Sequence, residues 1–136
     1  MNLGQVLIAL LALSLLVTIS LNINKARLNS TVDTIELQVE LEAINYGQSV
    51  MELVANLAST EEGYTNLESK FNNWQSSSTF PDGSGRTLYS KVLVSSEASN
   101  PTIFEVPNKL VTVSVYSDQA RTKLLTRYKS TFNSWW

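Results

Sequence analysis

Polar positions almost vanish from the first part of the chain. Residues 6–21 read VLIALLALSLLVTISL, broken only by Ser14, Thr18 and Ser20, and residues 1–24 carry no charged side chain. Crossing the hydrocarbon core of a bilayer takes roughly 20 apolar residues, so residues 3–23 predict a membrane-spanning helix. A removable signal peptide would show a basic segment before the apolar run and a small-x-small site after it. Here no base precedes the run, and Asn22-Ile23-Asn24-Lys25 follows it. The helical pattern then continues in another form. Residues 25–59 contain no Pro and a single Gly, Gly47. Apolar residues recur every three or four positions, at Leu28, Val32, Ile35, Val39, Ala43, Tyr46, Val50, Leu53 and Leu57, which is the amphipathic signature. A narrower set, Leu37, Leu41, Ile44 and Met51, lies nearly opposite. Packing on one domain needs one apolar face. Two faces imply two neighbours, one in the same chain and one in another. An unbroken helix from near Met1 to near Ser59 would be about 85 Å long at 1.5 Å per residue. Its weakest stretch should be residues 14–24, where Val17, Thr18 and Ile19 are β-branched and Asn22 and Asn24 are poor helix formers.

Beyond residue 59 the period shortens. Thr60 can cap a short helix that starts with Glu61 and Glu62 and turns Leu67, Phe71 and Trp74 inward. Residues 75–86 (QSSSTFPDGSGR) read as a loop by composition. Four strands are expected after it, at 87–94, 102–106, 110–116 and 122–129. The third alternates cleanly, with Val111, Val113 and Val115 on one face and Thr112 and Ser114 on the other. In the fourth, Leu124, Thr126 and Tyr128 face one way and Lys123, Arg127 and Lys129 the other. Short loops at 107–109 and 117–121 suit an antiparallel meander. A single sheet with one apolar face needs a cover, and the long helix supplies it. The expected fold is therefore α+β, in three segments: an apolar membrane or filament-core helix (1–24), its amphipathic continuation (25–59) and a β-rich head (60–136).

Composition narrows the chemistry. The chain has no Cys and no His, which rules out disulfides and thiol or imidazole catalysis, so any metal site would depend on oxygen ligands. The net charge of −2 gives no basic field for nucleic acid. Neither a Ser-His pairing nor a phosphate-cradling glycine motif is present, and no enzyme and no cofactor are expected. Glu61-Glu62 reads as first-turn acids favoured by the helix dipole. Asp82-Gly83-Ser84-Gly85 reads as a turn, since it lacks further acids in calcium-loop register. Asn29-Ser30-Thr31 matches the glycosylation acceptor pattern. Trp135 and Trp136 are expected to pack on the head or on a neighbour. The charge itself is segregated. Eight acids (Asp33, Glu36, Glu40, Glu42, Glu52, Glu61, Glu62, Glu68) and no base lie between residues 28 and 69, whereas from residue 106 onward there are five bases and one acid, Asp118. Such halves can pair within a subunit or between subunits.

Lys25 and Arg27 follow the apolar run, which by the positive-inside rule would hold the C-terminal part in the cytoplasm. A chain whose basic leader has been cut away escapes that conflict. An apolar-then-amphipathic N-terminal helix followed by a small antiparallel sheet resembles the type IV pilins and their secretion-system relatives across the whole chain. Mature members begin with an apolar residue and carry Glu at the fifth position, where it pairs with a neighbour's N-terminal amine. This sequence begins Met1-Asn2-Leu3-Gly4-Gln5, with an uncharged amide in that place, and has Asn22 where members carry Pro. In a second register, Gly4-Gln5 resembles the junction cut by archaeal-type prepilin peptidases, which would make residues 1–4 a leader. The resemblance implies a homo-oligomeric helical filament at the cell surface, with roles such as cell adhesion. Its subunits would wait in the membrane and be handled by a prepilin peptidase, with N-terminal methylation, and by pilus assembly machinery. The expected assembly residues are Met1, Gln5, Leu11, Leu15, Leu37, Leu41, Ile44 and Met51. A minor pilin or pseudopilin, or a single-span anchored extracytoplasmic binding module, are the alternatives.

Overall fold

The computed structural model describes residues 2–95, 98–99 and 107–134. Three helices, α1 (Leu3–Ala58), α2 (Glu61–Thr65) and α3 (Leu67–Phe71), precede five strands, β1 (Gln75–Thr79), β2 (Thr87–Val94), β3 (Ala98–Ser99), β4 (Pro107–Tyr116) and β5 (Leu124–Asn133). The fold is α+β, as the sequence pattern predicts. The chain divides into two compact units, Met1–Val39 and Glu40–Trp136.

The first unit is helix throughout its described length from Leu3. Asn2 and Gln5 start it reciprocally: the Gly4 N–H donates to Asn2 Oδ1 at 3.5 Å, and the Asn2 N–H donates to Gln5 Oε1 at 3.3 Å. This is the capping-box arrangement, which satisfies two of the orphan donors of a first turn. The stretch expected to be weakest, 14–24, is helical, and the Thr18 hydroxyl donates back to the Ser14 carbonyl at 2.9 Å.

In the second unit, the end of α1 covers one face of the sheet. It buries Ala43, Gly47, Val50, Val54 and Ala58. Of the expected stripe, Ala43 and Val50 are buried and Tyr46 and Leu57 half-buried, but Leu53 is exposed and Val54 takes its place. Gly47, on the buried face, allows a close approach to the sheet. A Cβ there would lie 2.6 Å from the Tyr128 ring and 3.2 Å from Val115. The core joins Val50, Val54 and Ala58 to Leu67 and Phe71 of α3 and to Val92, Val94, Val111 and Val113 of the sheet. Thr60 caps α2 as expected, accepting from the Gly63 N–H at 3.1 Å.

The ladders are antiparallel. β1 pairs with β2, β2 with β4, and β4 with β5. Asn108 faces both Ala98 and Asn133, so β3 continues along the edge of β4 that β2 occupies, and β5 takes the other. Three expectations need correction. Residues 75–79, expected in a loop, form edge strand β1. They are exposed apart from a half-buried Ser76, so no apolar alternation marks them as a strand. Residues 107–109, expected as a turn, open β4. Pro107 is tolerated as a first strand residue, and Lys109 points into the helix layer. The last strand runs 124–133 rather than 122–129, because Asp118 holds residues 122 and 123 in the turn. Its carboxylate accepts from the Thr122 N–H at 3.0 and 3.1 Å, the Thr122 hydroxyl at 2.7 Å and the Lys123 N–H at 2.7 Å. A bulge between Val115 and Tyr116 then sets Leu124 opposite Tyr116 and leaves Leu124 exposed. The expected strand at 102–106 lies outside the described residues, as do Met1, Trp135 and Trp136.

Candidate assembly surfaces

In the first unit every residue from Asn2 to Gln38 is exposed, and Val39 is half-buried. Leu11 and Leu15 are 64% and 65% exposed, and Leu3, Ile8, Leu16 and Leu21 are similarly open. The helix is long and apolar enough to cross a membrane. Every large residue from Leu3 to Ile23 is in this state, so the exposed surface runs all round the helix rather than along one stripe. Surface of this kind leaves water wherever lipid or protein is offered.

Gln5 stands in the first turn with its carbonyl oxygen already accepting from Asn2 within the chain. The amide therefore has a local structural role, legible in advance as an Asn-x-x-Gln capping pattern. Leu37 in the first unit is 65% exposed; in the second, Leu41 is 58% and Ile44 38% exposed. Leu41 and Ile44 share a face by their three-residue spacing. Met51 differs, being half-buried against the core and lining a groove with Gln48, Glu52, Ala55 and Tyr128. Tyr128 reaches over α1 and donates to the Ile44 carbonyl at 3.4 Å.

The polar interior is closed. The Tyr46 hydroxyl donates to Ser76 Oγ at 2.9 Å and lies 3.2 Å from the Oγ of fully buried Ser90. Lys109, also buried, donates to the Tyr64 carbonyl at 2.9 Å and the Thr65 carbonyl at 3.4 Å, and sits over the Tyr64 ring. It thereby satisfies C-terminal carbonyls of α2. Asp82 belongs to a structural turn. Ser84 and then Arg86 stabilise its carboxylate and hold its pKa at about 2, and Arg86 meets it at 3.0 Å. That is the one salt bridge among the described residues; the acidic 28–69 region and the basic C-terminal region form none with each other there.

The class these features define is an α+β protein whose N-terminal helix is charge-free and exposed over residues 3–23, with a head that closes its own core. Comparison of the chain with protein-family models, characterised proteins and solved structures gives no match.

Proposed function

We propose that this chain is the structural subunit of a type IV pilus-like extracellular filament. It is held in the membrane by α1 before assembly and bundled through the same helix afterwards. One observation carries the reading: residues 3–23 are apolar and open on every side, while the head closes its core without using any of them. Lipid and a bundle of identical helices are the two environments that remove such a surface from water. In the second unit, exposed Leu41 and Ile44 add apolar surface outside residues 3–23, where lipid would not reach it but a neighbouring helix would. The same feature supports a subunit over a monomeric anchored module, which gains nothing from apolar residues outside the bilayer.

Aspartate in place of Leu11 or Leu15 puts an unpaired charge where a partner helix must pack. The cost is about 2.5–3.5 kcal/mol even on insertion scales. Filaments sheared from cells should disappear in either variant, and undiminished yield from both would refute the bundle. Mass spectrometry of the N-terminus of sheared material should find α1 retained, with the cleavage register and any methylated amine. Recovery of a chain beginning near Lys25 would instead identify a secreted soluble domain. A protein recovered only in detergent, and sizing as a monomer, would identify the anchored module.

A further inference from the structure

The head carries its charge on opposite faces. On the short helices α2 and α3, which pack on the α1 side of the sheet, lie Glu61, Glu62 and Glu68, all exposed, against one exposed base, Lys70. None of the five strands contains an acid. The far side of the sheet is cationic. Lys91 of β2 and Arg127 of β5 both face Ser114 of β4, from its two sides. Arg127 donates to Ser114 Oγ at 3.1 Å. Lys129 stands two residues on, on the same face, and Arg121 lies 5.7 Å from the centre of the Tyr89 ring. Strand geometry sets Lys91 and Arg127 about 10 Å apart, and Arg127 and Lys129 about 7 Å. Exposed Leu93 and Leu110 lie on the same side. Arginine and tyrosine are enriched at docking faces, and here they stand beside exposed leucines and basic groups that no acid among the described residues pairs.

We propose that this face receives the acidic helix face of a second copy, so that heads join head to tail. The inference rests on the filament reading above and deepens it by naming the contact between heads. Opposite charge on opposite faces makes the contact heterologous: like faces of two copies repel, whereas unlike faces attract. A heterologous contact that does not close into a ring propagates as a helix. Within the subunit the two charge sets are kept apart by the sheet itself, and among the described residues they form no ion pair. The pairing that the sequence suggests is therefore open to a second copy.

The test uses the full-length chain in cells, with filament yield after shearing as readout. Arg127→Glu with Lys129→Glu should lower yield about tenfold, and so should Glu61→Lys with Glu62→Lys, since like-charge juxtaposition rejects a partner. All four changes together should restore yield to within about twofold. Wild-type filaments should also fragment in about 1 M salt, where the screening length falls to about 3 Å; this readout needs no variant to fold. Yield insensitive to either reversal, or filaments indifferent to salt, overturns the proposal. So does a four-residue exchange that fails to restore yield while its thermal unfolding matches wild type, which would assign the basic face to another anionic surface such as lipid headgroups. Loss of filaments in Leu11→Asp with no response to charge reversal removes the head contact and leaves the helix bundle standing; persistence of filaments in Leu11→Asp removes the bundle itself.

Discussion

Two single residues fix the corner where α1 gives way to α2. Gly63 admits no side chain: a Cβ there would run into the Leu57 carbonyl oxygen, a backbone atom that cannot swing aside. Gly63→Ala should cost about 1–3 kcal/mol, the range for forcing atoms into a packed site, and denaturant unfolding of detergent-solubilised protein would register it. Lys109 works on the same corner from the sheet side. Lys109→Met keeps the aliphatic stem and strips the ammonium from the Tyr64 and Thr65 carbonyls, which should cost about 1.5–3 kcal/mol by the same measurement. The Thr60 cap was legible because a hydroxyl before two acids has few other uses. Lys109 was not, because a lysine two residues after a proline looks like a loop residue. Only its carbonyl partners, 44 and 45 residues away, give it a buried role.

At the scale of elements, legibility followed apolar contrast. Strands β2 and β4 alternate buried valines with polar neighbours and were readable to within a few residues. β1 is almost wholly serine and threonine on an exposed edge, so its pairing with β2 leaves no trace in hydropathy. The β4–β5 turn was misplaced because its organiser acts by hydrogen bonding alone. The Asp118 carboxylate is held below its ordinary 3.8 by the Thr122 hydroxyl and then by backbone donors. A depressed pKa contributes stability that is present above 3.8 and lost as pH falls through the lower folded-state value. Carboxyl NMR titration should therefore place the Asp118 midpoint below 3.8, and that of Asp82 near 2. Asp118→Ala should lower the thermal midpoint at neutral pH and reduce the acid sensitivity. A variant with the wild-type pH profile would show that the turn does not depend on the carboxylate.

For the molecule as a whole, the division into two units separates folding from location. The core residues Val50 to Val113 all belong to the second unit. Deleting residues 2–24 should leave the thermal midpoint of the head within about 2 °C, because distant sites act independently, while removing the need for detergent. A large drop in midpoint would show that the deleted segment contributes to the core. The α+β class and the exposed span followed from the sequence because hydrophobic contrast along α1 is extreme. The opposition of charge across the sheet did not, since it depends on which strand faces point away from α1.

If α1 bundles as proposed, its open surface also bears on how long an assembled fibre lasts. Thirteen large apolar residues from Leu3 to Ile23 are exposed, twelve of them by about half or more and Val6 by 39%. At about 1.5–3 kcal/mol for complete burial of each, halved for what an isolated helix already hides, release of one copy into liquid costs on the order of 10–20 kcal/mol. Each 1.4 kcal/mol is a factor of ten, so spontaneous shedding from the sides or the tip is negligible. Growth and shortening would occur only at the end seated in lipid, and a piece snapped off would keep its length.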